Sequence, residues 1–348
     1  MKAAVLSINC EAASIAGVTS LLEDVGLTVA LTLNVADAGS FLQCYDFATM
    51  AAGLVVIVGA GAGEKALLNA APDDNFIKRD NIFTAFTDTD AASLEAFADG
   101  ALKKASARMR TKYSRYVFKT FNAAVADIAP LLKDIRHIKK VVVSYKPAPL
   151  ECDVILRYPA SIDKAELEAL LSDVHKALGK LVYAVGDTDM AHTVCALLKT
   201  RGKKIAFAES FTGGGLVSSL IEFPGASEIV AEGIVAYGNE SKTKRLKVDE
   251  KLLTRYSAVS KEVAFEMSYN LLAESGADLS VATTGYAGPE GSPVGECYIA
   301  LGSLNGIHLY KYNFEGSRGE IITQGVKTAL HLIICVLKDE KEFASFFS

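Results

Sequence analysis

The sequence predicts an α/β protein in three parts, and three observations carry that reading. Apolar runs of strand length alternate with segments of helical spacing over the first hundred residues. A basic run, KKASARMRTKYSR (103–115), then breaks the composition. The densest set of glycine turns and polar strand ends follows residue 187. The expected parts are a doubly wound domain over 1–112, a small α+β connecting domain over 113–186 and an α/β domain over 187–348.

In the first part KAAVLSI reads as a strand, and Ala13 to Val25 as a helix closed by Gly26. LTVALTLNV is a second strand, 39–52 a second helix, and GLVVIVGAG a third strand, apolar throughout and so buried on both faces. Strands alternating with helices imply a parallel sheet covered on both sides. The stretch VIVGAGAGEKALLNA is not a phosphate-binding loop, because Lys65 is followed by alanine, nor a dinucleotide fingerprint, because its third glycine comes too early. A tight strand-to-helix turn is expected there. The basic run at 103–115 reads as a linker or an exposed helix.

In the second part FNAAVADIAPLLKDI reads as a helix, KKVVVSY and CDVILRY as strands, and SIDKAELEALLSDVHKALG as a helix capped by Ser161 and closed by Gly179. In the third, TDMAHTVCALLKTRG is a helix closed by Gly202. KKIAFA, IVAEGIVAY, ADLSVATTG, GECYIALGS and IHLYKYNF are strands of one mixed sheet, and the last helix runs from about Glu320 to Leu337.

Composition narrows the function. A net charge of −5 without a long basic run argues against attachment to nucleic acid or membrane by charge. The six cysteines are scattered without a C-x-x-C pair, as expected for reduced thiols in a cytoplasmic protein. The five histidines are equally dispersed, so spacing suggests neither a metal site nor a cofactor. MKAAVLSINCE carries too short an apolar run for a signal peptide, and no run of about 18 uninterrupted apolar residues predicts a membrane span.

Chemistry-bearing residues collect at strand ends. Ser210 ends KKIAFA and opens the turn SFTGGG; Tyr237 ends EGIVAY with Lys242 five residues on; Thr283 and Thr284 precede Gly285; Arg318 precedes the last helix. In open α/β sheets ligands bind outside the carboxyl ends of strands. Each residue has a plainer role too: Ser210 or Thr212 as a helix cap, Gly213 to Gly215 as a close-packing joint, Lys242 and Arg318 as surface charges. Together they fit a serine–lysine hydrolase. Serine needs a neighbouring base, no histidine lies in the set, and a desolvated lysine serves if burial holds it neutral. Tyr237 would orient the serine or relay its proton, and the amides of the glycine turn would hold a phosphate or an oxyanion. Arg318 fits an anionic part of the substrate.

The stretch AESFTGGGLVSSLIEFPGASEIVAEGIVAYGNESK resembles the CinA family of competence- and damage-inducible proteins, as do LLTRYSAVSKEVAFEMS, ADLSVATTGYAGPEG, PVGECYIAL and FEGSRGEI. The resemblance covers about 187–340, and LGKLVYAVGD resembles the end of that family's connecting domain. It implies a nicotinamide-nucleotide amidase that converts nicotinamide mononucleotide to nicotinate mononucleotide and ammonia. Ser210 would be the nucleophile, and Tyr237 and Lys242 would handle the proton. Thr212, Gly213, Gly214, Thr284, Gly285 and Arg318 would line the substrate site. A homodimer is implied as well. Phe211 stands where the family has cysteine, a packing change, and Gly238 where it has serine, which would loosen the Tyr237–Lys242 turn; the loop GPEGSPVG is shorter than usual.

The first part resembles the family's molybdopterin-binding-like domain. The places of its T-E pair and its G-G-x-G-P-T-x-D-D motif read SINCEAAS and VGAGAGEKALLNA, without the paired aspartates a hard cation needs. A relic fold is expected, with no carry-over of the family's ADP-ribose pyrophosphatase activity. Two other readings stay open: a non-catalytic nucleotide-binding or scaffold protein, and a residual metal-dependent pyrophosphatase in the first part.

Overall fold

A computed structural model describes residues 2–8, 15–25, 27–35, 38–71, 76–79, 82–88, 90–103, 113–135 and 141–338. The chain divides into two compact units. One is Met1–Tyr116 with Asp134–Val143 and Leu156–Ser172; the other is Val117–Lys133 with Ser144–Ile155 and Asp173–Ser348.

In the first unit, β1 (Lys2–Ile8), α1 (Ala16–Asp24), β2 (Thr28–Val35), α2 (Ala38–Ala51), β3 (Leu54–Val58), α3 (Ala62–Leu67), β4 (Phe76–Arg79), β5 (Ile82–Thr87) and α4 (Ala91–Phe97) follow in order. The sheet order is β2-β1-β3-β5-β4, parallel except for β4 against β5. Successive strand residues face opposite sides. Ala3, Val5, Leu54, Val56 and Val58 therefore enter one core, and Ala4, Leu6, Val55 and Ile57 the other. This two-faced burial is why the strands read as unbroken apolar runs. At the glycine-rich joint after β3, Gly59 takes φ +77. Most of the basic run, 104–112, lies outside the described residues, as do Ala13 and Gly26.

The intervening chain supplies β6 (Tyr113–Phe121), α5 (Val125–Leu131), β7 (Val142–Ala148), β8 (Glu151–Pro159), α6 (Lys164–Leu178) and β9 (Val182–Val185), with sheet order β7-β8-β6-β9. The cap of α6 is not Ser161. Asp163 Oδ1 accepts from the amides of Ala165 and Glu166, because the side chain immediately before the first helical residue is the one within reach of them.

The second unit continues through α7 (Met190–Arg201), β10 (Ile205–Glu209), α8 (Gly215–Ile221), β11 (Val230–Val235), α9 (Asn239–Leu246), α10 (Glu250–Tyr256), α11 (Lys261–Ser275), β12 (Leu279–Gly285), β13 (Glu296–Ser303), β14 (Gly306–Asn313) and α12 (Arg318–Lys338). Its sheet is mixed, β11-β10-β12-β13-β14, with β10 parallel to both β11 and β12 and the last pairs antiparallel. Alternation again sorts the strands. Ile205, Phe207, Leu279 and Val281 face α7, α8 and α12; Ala206, Ala208 and Ala282 face α9 and α11. By length and composition α12 is apolar enough to cross a membrane, yet 56% of its apolar window is buried inside the protein, as a core helix requires. Its Ala329, Ile333 and Leu337 have no exposure above 1%.

Candidate active site

The parallel register places the polar strand ends side by side. Glu209, the last residue of β10, lies opposite Val235 of β11 and Thr283 of β12. Ser210, Tyr237 and Thr284 therefore emerge together at the carboxyl ends of β10, β11 and β12. Strand alternation then separates neighbours. Glu209 continues the side of Ile205 and Phe207, toward α8, while Ser210 continues the side of Ala206 and Ala208, toward α9.

On the α9 side Ser210 meets Lys242. The lysine is 1% exposed, and its Nζ lies 2.9 Å from Ser210 Oγ, 2.8 Å from the Ala236 carbonyl and 3.2 Å from the Tyr237 carbonyl. Burial alone pulls its pKa down to about 8. A neutral amine has two N–H donors and one lone pair. The two carbonyls take the donors and leave the lone pair for the serine proton. The turn that presents Lys242 is intact: Gly238 has extended backbone, φ −91, and its carbonyl accepts from the Lys242 amide at 3.1 Å. Glycine there adopts a conformation open to any residue, and nothing crowds it.

On the α8 side the structure corrects the role expected of the glycine turn. Glu209 is fully buried, and its carboxylate accepts from the amides of Gly214 (2.9 Å), Leu216 (3.2 Å) and Val217 (2.9 Å). The Gly213 amide closes a turn on the Ser210 carbonyl. The amides of Gly213 and Gly214 are thus committed inside the protein, since an internal anion already sits where the helix start attracts negative charge. The glycines serve the bend, with φ +63 at Gly213 and +96 at Gly214. The amides of Phe211 and Thr212 donate to no acceptor among the described residues. The Thr212 hydroxyl is buried against Thr283 Oγ1 at 2.7 Å, so it braces β12 against the turn and does not face a ligand.

Tyr237 also differs from expectation. Its hydroxyl is not between Ser210 and Lys242; it accepts from Arg318 Nη2 at 2.9 Å, and the side chain is 64% exposed. Only its carbonyl touches Lys242. Tyr237 lies two residues beyond the end of β11, with its side chain exposed and its carbonyl on Lys242. Arg318 donates as well to the Gly288 carbonyl, linking the loop after β12 to Tyr237. Two of its five N–H donors are so used. Thr284 donates to the Ala258 carbonyl at 2.7 Å, leaving its oxygen as an acceptor. Gly285 permits close approach of β13: a Cβ there would stand 2.5 Å from Cys297 Sγ. Burial pushes that thiol up to about 12, so it stays protonated and inert.

Ser210, Tyr237, Lys242, Thr284, Gly285 and Arg318 share one cavity of about 470 Å³, with Phe211, Tyr286 and the Gly288–Gly291 loop completing its wall. That size is ordinary for a small-molecule site, roughly 300–1,000 Å³. No histidine lines it. Phe211 also turns away into a cluster with Ala287, Cys297, Phe314 and Ile321, over Gly325 of α12. Sequence reasoning missed Glu209 and Tyr286. The signal for Glu209 was present: one acid at the end of a wholly apolar strand, directly before a helix start.

A family model described as the CinA C-terminal domain matches residues 187–337. A CinA-like protein of Thermotoga maritima is 36% identical over 238 residues, covering 66% of this chain and 58% of that protein. The chain spans about half the length of the curated relatives it matches. Among solved structures, a competence-damaged protein (CinA) superfamily protein from Klebsiella pneumoniae is 31% identical, with a TM-score of 0.42, covering 43% of this chain and 96% of that one. The competence/damage inducible protein CihA from Agrobacterium tumefaciens is 34% identical, with a TM-score of 0.41 and coverage of 43% and 93%.

Proposed function

The chain belongs to the CinA family through its 187–337 domain, and from that premise we propose that the domain is a serine amidase hydrolysing the carboxamide of nicotinamide mononucleotide to nicotinate mononucleotide and ammonia. The observation that carries this reading is the buried contact of Lys242 Nζ with Ser210 Oγ at 2.9 Å, at a lysine whose only pKa perturbation is desolvation.

The chemistry follows from those two groups. Ser210 Oγ attacks the carboxamide carbon while Lys242 Nζ accepts the hydroxyl proton. The carbonyl electron pair moves onto oxygen. The amides of Phe211 and Thr212, next along the chain from the nucleophile and donating to no acceptor among the described residues, are the candidate donors to it. The Lys242 ammonium then gives its proton to the amide nitrogen, the C–N bond breaks and ammonia departs. Water attacks the resulting ester, surrenders a proton to Lys242, and the restored Ser210 hydroxyl leaves with that proton. Glu209 faces α8, where its carboxylate accepts from the amides of Gly214, Leu216 and Val217. Arg318 offers its remaining donors to an anionic substituent of the substrate.

Ammonia release from nicotinamide mononucleotide, compared among wild type, Ser210→Ala and Lys242→Ala, tests the reading. Turnover by the wild type with near-complete loss in both variants is the expected outcome. Wild-type rates retained by Ser210→Ala would refute it. Calorimetric binding without turnover would replace it with a nucleotide-binding role.

A further inference from the structure

Beyond the serine–lysine pair, the cavity has an aromatic wall that comes from the loop joining β12 to β13. Tyr286 lines the cavity together with Ser210, Lys242 and Arg318. Its backbone is pinned twice: the amide donates to the Glu296 carbonyl at 2.9 Å, and the carbonyl accepts from the Gly295 amide at 2.7 Å. Its ring packs closely on the backbone of Gly291. A Cβ built on Gly291, where φ is +94, would lie 2.2 Å from Cδ1 and 2.6 Å from Cγ of the Tyr286 ring. Only glycine allows the loop backbone to come that near. The Gly291 backbone therefore lies against the ring, and Tyr286 lines the pocket with that loop behind it. Gly295 secures the same loop from below, since a Cβ there would strike the Phe314 carbonyl oxygen at 1.9 Å.

We propose that Tyr286 is a specificity-determining residue, the surface on which a flat aromatic ring of the substrate rests beside Ser210, so that the site selects heteroaromatic amides over aliphatic ones. The inference rests on the amidase reading for the word amide, while ring recognition itself stands on the geometry of the loop. An aromatic plate held by backbone bonds loses little freedom when a ring stacks on it, so the contact is favourable without ordering a mobile side chain. The Tyr286 hydroxyl is not required for this, which separates its role from that of Tyr237.

Calorimetric titration of the full chain with nicotinamide mononucleotide and, separately, with ribose 5-phosphate tests it, alongside ammonia release. Wild type is expected to bind the ring-bearing ligand on the order of tenfold more tightly than the ring-less one. Tyr286→Leu should abolish most of that preference while leaving ribose 5-phosphate binding unchanged, and Tyr286→Phe should keep it. Gly291→Ala, which displaces the ring with Tyr286 still present, should lower the preference as Tyr286→Leu does. An undiminished preference in Tyr286→Leu, equal binding of the two ligands by wild type, or binding of neither, would overturn the proposal. Ring preference that depends on Tyr286 with no ammonia released would sink the amidase reading and leave this one standing.

Discussion

Raising the pH from 7 to 9 is the perturbation that interrogates the serine–lysine pair most directly. With a pKa of about 8, Lys242 is neutral in roughly a tenth of molecules at pH 7, in half at pH 8 and in about nine-tenths at pH 9. Activity that needs the free amine should therefore rise about tenfold in kcat/KM over that range and then level off. An ordinary lysine would be neutral in only about three molecules in ten thousand at pH 7, so burial enriches the working form some 300-fold, about 3 kcal/mol. That energy has a counterpart in stability. The folded pKa lies below the unfolded one, so between about pH 8 and 10.5 the unfolded chain holds more protons and stability rises with pH; below pH 8 the full penalty of the buried charge is present. The assay is initial-rate ammonia release at low substrate and constant ionic strength, paired with urea unfolding at the same pH values. Lys242→Arg, which carries a charge that pH cannot remove, should be inactive throughout, and Lys242→Met should lose the slope in stability. A rate profile flat from pH 6 to 9, an apparent pKa near that of free lysine, or activity in Lys242→Arg would refute the reasoning.

Two further outcomes test the frame around the pair. Glu209→Gln replaces an acceptor oxygen with an amide group facing the α8 N–H donors, and should destabilise the protein by about 2–3 kcal/mol in urea unfolding; a change under about 0.5 kcal/mol would show that the carboxylate is not the anchor of α8. Gly285→Ala drives a methyl to 2.5 Å from Cys297 Sγ and should lose about 1–3 kcal/mol, with Cys297→Ala restoring part of it; additive losses in the double variant would place the clash elsewhere.

Strands β1, β3, β10 and β12 were legible because they are buried on two faces, which leaves apolar runs between turns, whereas β4 and β5 were not read from the sequence. KAAVLSI matches β1 to the residue, and ADLSVATTG contains all of β12. β6 was not legible: YSRYVFKTF mixes charge with apolar residues, and its first three residues fall in the basic run that read as a linker or an exposed helix. Ser161 lost the capping role to Asp163 by proximity, which composition cannot rank. At the site, the residue types and their strand-end positions were readable, and the structure brings Ser210, Lys242 and Arg318 to one cavity. What the sequence left dark was direction. Tyr237 lies next to the lysine's carbonyl partner, but its ring points at Arg318. The glycine amides looked free because nothing in a linear pattern says that Glu209 will fold over to take the Gly214 amide and the Ser210 carbonyl that of Gly213.

Arg318 bridges the Tyr237 hydroxyl and the Gly288 carbonyl from the first position of the last helix, and Gly325 of that helix receives the Phe211 ring. During synthesis, Ser210 and Lys242 leave the ribosome well before either partner. Until α12 emerges the chain lacks the Arg318 cation and also the helix that closes the core behind β10. The pocket is therefore completed only when translation has passed that helix.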